Sequence, residues 1–583
     1  MDRLALARSI RTCFALSALA LGSACGGGGS GAPASGFTLS LAPANTASVT
    51  AGKSAQSTVT IASSNGYAGA VKLACSIATS AEPPPSCSLS TSAVTLTSGG
   101  SSNSTLTVTT ASGTPGGTYT VSISASGTNN SAESQTLTLT VAAVIERVVV
   151  IFQENRSTDN LFHDPVLIAR GADIASSGMN TLGQTITLTP IDLGTTGADP
   201  QDYDLGHGHP DFVNMYDGGK MDGANLVGCI EQETPTVITC PPGAHPNWSF
   251  KYVNPDDVQP YFALAEQYTF ADRMFQTNEG PSFPAHQFIL AGTSAPSAGS
   301  ALFASENPYI AGGGPVGCIA PAGMTVTMIN PLGSETAAPA EYPCFDHPTL
   351  TDLLEADGLT WRYYAPSAGS IWTAPDAIEH ICQQQTVKGK LVCEGPEWTQ
   401  NVVIPQSQIL TDIANGQLAQ VTWVIPNGLS SDHALSNDGS GPSWVASVVN
   451  AIGNSPFWAN TAIIITWDDW GGWYDHVAPK VIDDGTSWGS GYVYGFRVPM
   501  VVVSPYAKSQ YISHVTHDFG SILKFIETTF KLPSLGYADA PADDLSDCFD
   551  LTQSPISFHT VPAQLNAAFF INDKRPPTDP DDD

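Results

Sequence analysis

Positive charge is what this sequence has least of. Its 583 residues carry 21 lysines and arginines against 53 aspartates and glutamates, a formal net charge of −32. Nucleic-acid binding needs clustered basic side chains, so no nucleic-acid partner is expected. An anionic substrate would have to be drawn in by local cations, and a bound metal would serve. No two of the 11 cysteines have C-x-x-C spacing, which sets metal–thiolate chemistry aside. Residues 37–142 contain no histidine and only two acids, Glu82 and Glu133, so that stretch reads as a spacer or surface-binding module.

The amino terminus does have an apolar run, but a short one. Arg3, Arg8 and Arg11 precede Cys13 to Leu21, and Gly22-Ser23-Ala24 lead to Cys25. This is the pattern of a signal peptide over residues 1–24, too short to span a membrane as a mature helix. Leu21 to Gly26 is similar to a bacterial lipoprotein cleavage box, with Gly22 where that box prefers Leu. The expectation is an exported protein, either a cell-envelope lipoprotein with a lipid anchor on Cys25 or a secreted or periplasmic one. Residues 25–36 are Gly-, Ser-, Ala- and Pro-rich and read as a flexible tether. In an oxidising compartment Cys75 with Cys87, Cys229 with Cys240 and Cys382 with Cys393 read as short local disulfides. Cys318 with Cys344 is a fourth pairing, and it leaves Cys548 single.

Two patterns divide the rest. Ser57-Thr58-Val59-Thr60-Ile61, Ser104 to Val108, Tyr119 to Ile123 and Gln135 to Val141 alternate apolar with polar residues. That period of two, with turn residues every ten or so positions, predicts an immunoglobulin-like β-sandwich over residues 37–142. From residue 145 to 572 strand-like runs alternate with helical ones: Leu350 to Ala356, Leu359 to Tyr364, Val421 to Pro426, Trp444 to Ile452, Val498 to Ser504 and Gly520 to Phe530. This predicts an α/β domain with a mostly parallel sheet and helices on both faces. Residues 573–583 read as an acidic, disordered tail.

Chemistry concentrates at two strand ends. Val148-Val149-Val150-Ile151-Phe152-Gln153 breaks into Glu154-Asn155-Arg156-Ser157, and Ala462 to Trp467 breaks into Asp468-Asp469-Trp470-Gly471-Gly472. Buried strands that deliver polar residues at their carboxyl ends mark the usual cleft of an open α/β sheet. If the two strands are neighbours, Glu154, Asn155, Asp468 and Asp469 surround one point. Oxygen ligands of that kind suit a divalent metal.

These residues resemble the opening and closing motifs of the bacterial phosphoesterase family of phospholipase C and acid phosphatase type. His207, Gly218 to Gly223, Asp272-Arg273, Gly280-Pro281-Ser282-Phe283-Pro284, Asp432-His433, Asp475-His476-Val477, Arg497-Val498-Pro499, Ser504-Pro505, His514 and Ser521 to Glu527 follow in family order. The resemblance covers roughly residues 145 to 550. It implies an alkaline-phosphatase-like core, a nucleophilic hydroxyl at Ser282, and a divalent metal held by Glu154, Asn155, Ser282, Asp468 and Asp469. His207 and His433 match histidines lining the phosphate pocket, with His209 as the rival of His207. His476 and His514 sit at further motif positions.

The function so implied is metal-dependent hydrolysis of phosphate esters, phospholipids among them, through a phosphoseryl intermediate. Trp467, Trp470, Trp473 and Trp488 hint at an apolar rim for lipid, although aromatic side chains more often pack. Two alternatives stand beside this reading: an inactive surface adhesin, and a carboxylic-ester hydrolase using Ser487 in Gly485-Thr486-Ser487-Trp488-Gly489. That G-x-S-x-G run lacks the strand-then-helix context of a nucleophile elbow. The G-x-G-x-x-G run from Gly312 to Gly317 likewise lacks its helix.

Overall fold

A computed structural model describes residues 34–43, 46–128, 131–194, 203–229, 247–330, 333–335, 340–481 and 494–577. The expected signal peptide over residues 1–24, most of the expected tether, Cys240, Ser487 with its G-x-S-x-G run, Trp488 and residues 578–583 lie outside them.

Alternation in the first part produces two sheets around one core. Gly36–Ala42, Ser54–Ser64, Ser101–Thr109 and Ser86–Leu89 make the four-stranded sheet. The five-stranded one runs Thr46–Thr50, Ala132–Ala142, Gly117–Gly127, Gly69–Ile77 and Ala93–Leu96. Every second residue turns inward, so Val59, Ile61, Leu106, Val108, Val121, Ile123, Leu137 and Leu139 meet in a common apolar cluster. The Cys75–Cys87 disulfide ties the two sheets together. Backbone bonds link this unit to the rest: Gly116 N–H donates to the Tyr506 hydroxyl and Ala143 N–H to the Leu551 carbonyl.

The second part is a mixed α/β structure built on an eight-stranded sheet. Its order is Val402–Val403, Trp361–Tyr364, Val421–Val424, Arg147–Gln153, Thr461–Trp467, Met500–Val503, Thr269–Ala271 and Tyr511–Ser513. All run one way except Met500–Val503, which is antiparallel to both neighbours. The two strands singled out by sequence are adjacent and parallel, paired from Arg147↔Thr461 to Gln153↔Trp467. Both are buried along their length, which is why they read as unbroken β-branched runs rather than alternating ones.

The helices on this sheet pack in two groups. Ser282–Ala291 touches Phe519–Phe530 and Leu350–Ala356, whereas Gly441–Gly453 touches Gln259–Gln267 and Gln408–Ala414. Disulfides Cys318–Cys344 and Cys382–Cys393 close as expected, and Cys548 is a buried free thiol. The Gly312–Gly317 run forms turns followed by a single 3-10 turn, Gly317–Ile319. Among the described residues no helix is long and apolar enough to cross a membrane.

Because Ile464 is fully buried between Val150 on one side and Val502 on the other, Ile464→Ala is expected to destabilise the protein by about 2–5 kcal/mol. Denaturant unfolding measures this, and a change within error would mean that the strand is not in the core.

Candidate active site

The site forms where the adjacent strands stop. Asp468 N–H still donates to the Gln153 carbonyl, extending the parallel ladder one step, and then the chains diverge. Asn155 turns into the left-handed region at φ 58°, which Asn tolerates better than most residues. Its backbone N–H donates to Asp468 Oδ1 at 3.1 Å. Gly471 and Gly472 also have positive φ, and both are glycines for a reason of space. A Cβ at 471 would sit 2.3 Å from the Asn155 carbonyl oxygen, and one at 472 would sit 2.5 Å from Leu205 Cβ. That close approach brings the 205–207 loop against the strand ends.

Ser282 arrives from a third direction. It is the first residue of the helix Ser282–Ala291, whose next backbone N–H, from Phe283, is held by Asn307 Oδ1 at 2.9 Å. Ser282 Oγ lies 3.2 Å from Asp469 Oδ2 and 3.5 Å from Glu154 Oε2. Asp469 Oδ1 in turn accepts from Gly471 N–H. Ser282, Glu154, Asp468 and Asp469 are all fully buried. Segments more than three hundred residues apart thus place three carboxylates and a hydroxyl together.

Such a cluster needs positive charge. Ser282 has one hydroxyl hydrogen and satisfies at most one of its two carboxylate neighbours at a time. Asp468 Oδ2 and Asn155 Oδ1 are buried acceptors with no hydrogen-bond partner. Buried acceptor oxygens without donors carry a desolvation cost, larger for a carboxylate than for an amide, which a bound cation would offset. Carboxylate, amide and hydroxyl oxygens are the donor set that a hard divalent ion takes. The residues fit a metal on these grounds.

One histidine bonds to this group and a second packs beside the first. His207 Nδ1–H donates to the Leu205 carbonyl at 2.7 Å, so Nε2 carries a lone pair and accepts from Asn155 Nδ2 at 2.9 Å. That bond turns Asn155 Oδ1 the other way. His433 Nδ1–H donates to the Ala434 carbonyl, and its ring meets the His207 ring edge-on with centroids 5.8 Å apart. Spacing left His209 as a rival. The fold sends it instead to Glu279, whose carbonyl lies 3.1 Å from His209 Nδ1.

His476 and His514 are placed elsewhere. His476 Nδ1 is 2.6 Å from Asp159 and Nε2 is 3.0 Å from Asp173, so both ring nitrogens are taken by carboxylates. The buried Arg497 ties the same cluster together, with bonds to Asp475 and Asp159. Burial opposes the charged imidazole, but the Asp159 hydrogen bond and the Asp159 and Asp475 charges push its pKa up to about 9. His514 bonds Asp272 and is largely exposed.

Arg156 is also buried. Burial lowers its pKa to about 10, against the pull of Asp432 and Asp204, and it stacks on Trp473 while donating to the Asp432 carbonyl. Asp432 is itself raised to about 6 by burial, although Tyr261 and Trp467 donate to it. The tryptophan reading needs correction. Trp467, Trp470 and Trp473 are buried in the core around these groups and form no open rim.

One site residue escaped the sequence reading. His286 Nε2 lies 3.2 Å from Glu154 Oε1 and 3.7 Å from Asp468 Oδ2, fully buried. The signal was available: 286 is four residues after 282, so a helix starting at Ser282 puts both side chains on one face.

Fold and site together define a mixed α/β protein with a hydroxyl and three carboxylates buried at its sheet's strand ends. The sequence model of the Phosphoesterase family matches residues 145–533, and the chain belongs to that family of phosphoester hydrolases. It is 24% identical over 483 residues to the non-hemolytic phospholipase C of Burkholderia pseudomallei, covering 72% of this chain and 61% of that one. Phospholipase C B of Mycobacterium tuberculosis is 24% identical over 457 residues, 70% of this chain and 78% of the relative. Non-specific phospholipase C6 of Arabidopsis thaliana is 23% identical over 444 residues, 70% and 73%.

Gly471→Ala is expected to push Asn155 off the site and lower phosphoester turnover on the order of a hundredfold, the usual cost of ångström-scale misplacement. Steady-state kinetics decides this, and unimpaired turnover would mean that Asn155 does not matter. His476→Gln should destabilise the fold in a pH-dependent way. A folded pKa near 9, above the ordinary 6.5, means a contribution fully present below about pH 6.5 and lost as pH rises through about 9. Melting curves of variant and parent should therefore converge on the alkaline side, whereas a gap independent of pH would count against a charged His476.

Proposed function

We propose that this protein is an exported, metal-dependent phosphate-ester hydrolase acting through Ser282. The observation that carries the proposal is the position of Ser282 Oγ between Asp469 and Glu154 at a helix amino terminus. Glu154, Asn155, Ser282, Asp468 and Asp469 would hold the ion. When bound, it would favour the ionised hydroxyl and offset charge on the phosphoryl oxygens.

The chain's own groups do the rest. Ser282 Oγ attacks phosphorus in line, the bond from phosphorus to the ester oxygen breaks, and a phosphoseryl group is left on the helix. His207, with its ring fixed by Leu205 and Asn155, positions that amide and lines the phosphate pocket. His433, protonated on Nε2 while its Nδ1–H stays on the Ala434 carbonyl, would give that proton to the departing alcohol oxygen and recover one from the attacking water. Water then attacks from the face the alcohol has left, releasing phosphate or a phosphorylated head group and restoring Ser282. The amino end of the Ser282 helix favours the negative charge that builds there.

Phospholipid is the substrate class we favour, because the relatives are phospholipases C. The remaining assignments belong to the same proposal. Residues 37–142 would be an immunoglobulin-like spacer, 145–572 an alkaline-phosphatase-like catalytic domain, and Cys25 a lipid anchor at the cell envelope.

Ser282→Ala is expected to lower turnover at least about a thousandfold while the protein still folds and binds metal. Full hydrolysis by that variant would remove Ser282 from the scheme. Chelator should abolish activity and added divalent ion restore it; activity indifferent to chelator would point to a metal-free hydrolase. Side-by-side assays with a phosphatidylcholine and a simple phosphomonoester settle the substrate class, and turnover of the monoester alone would overturn the lipid assignment.

A further inference from the structure

We infer that His286 is a nitrogen ligand to the metal of this site, which makes the centre a mixed nitrogen–oxygen one that prefers late first-row divalent ions to magnesium or calcium. The inference rests on the metal-dependent reading above and specifies which ion that reading takes.

Glu154 presents its two carboxylate oxygens in different directions. Oε2 faces Ser282 Oγ at 3.5 Å, and Oε1 faces His286 Nε2 at 3.2 Å. The same imidazole nitrogen is 3.7 Å from Asp468 Oδ2, a fully buried oxygen with no hydrogen-bond partner. Ligand atoms from Glu154, His286 and Asp468 lie within 4.8 Å of one another, and all three residues are buried. Bonds of about 2.0–2.2 Å to one ion put ligand atoms roughly 2.8–4.4 Å apart, according to the angle between them. The observed separations of 3.2 and 3.7 Å lie in that range.

The ring is held in place from two sides. Helical spacing puts His286 on the Ser282 face of its helix, and the Phe152 ring packs against it with centroids 6.0 Å apart. Phe152 belongs to the same strand whose end supplies Glu154, so imidazole and carboxylate are positioned by one element. Oxygen-only sites suit magnesium and calcium, whereas an imidazole added to carboxylates favours zinc, cobalt, nickel or copper. The remaining ligands Asp469 and Ser282 then approach from the Oε2 side of Glu154.

The test uses the full-length protein stripped of metal, together with His286→Gln and His286→Asn, with far-UV circular dichroism confirming their fold. Titration with Zn2+, Co2+ and Mg2+ by calorimetry should show the parent binding Zn2+ and Co2+ more tightly than Mg2+. Both variants should lose at least about tenfold for Zn2+ and Co2+, a loss seen even for residues that only support a ligand. Their Mg2+ affinity should hold. Pulsed electron paramagnetic resonance of the Cu2+-loaded parent should show strong nitrogen coupling that disappears in the variants. Absence of nitrogen coupling in the parent, or equal losses for Mg2+ and Zn2+, would overturn the ligand assignment and leave the Ser282 proposal standing. A parent protein that binds none of these ions would overturn both.

Discussion

The structure depends on one electrostatic constraint: three carboxylates and a serine hydroxyl held together in a buried site. Glu154, Asp468, Asp469 and Ser282 are fully buried, and oxygens of Asp468 and Asn155 have no hydrogen-bond donor. Mutual repulsion of these groups in a low dielectric would drive them apart unless covalent geometry and packing hold them. Two hydrogen-bonded parallel strands provide that hold, and the left-handed turn at Asn155 and the close approach of Gly471 lock it.

Around this centre the fold arranges further hydrogen-bonded polar groups. His207 and Asn155 fix one another through a defined tautomer, so the amide oxygen is aimed before any ligand arrives. Further out, Arg497, Asp159, Asp475 and His476 form a buried ion cluster that ties the segment after the Gly-Gly turn to the helix following Ser157. Preorganisation of this kind places the cost of arranging polar groups on folding rather than on the reaction. Both ring nitrogens of His476 are committed to carboxylates of that cluster and its neighbour Asp173.

Much of the fold was readable in the residues. The Arg147–Gln153 and Thr461–Trp467 strands announced themselves as β-branched runs, and the helices Leu350–Ala356 and Phe519–Phe530 matched the spacing seen in sequence to within a residue. The strand Met500–Val503 was readable too but its reversed direction was not, because direction leaves no mark on a fully apolar segment. Aromatic residues gave the wrong hint for a related reason. Trp467, Trp470 and Trp473 flank the acids in sequence, yet amphipathic rings next to a turn serve as readily to fill the core as to line a mouth.

Sequence alone determined which residues could do chemistry and where strands would end, since a switch from β-branched to acidic side chains is a local event. It left His207 and His209 to be separated only by spacing, and it passed over His286. Tertiary structure decided those cases, because whether an imidazole meets Asn155, Glu279 or Glu154 depends on how a loop and a helix cross the strand ends, and that crossing is fixed by packing between segments far apart in the chain.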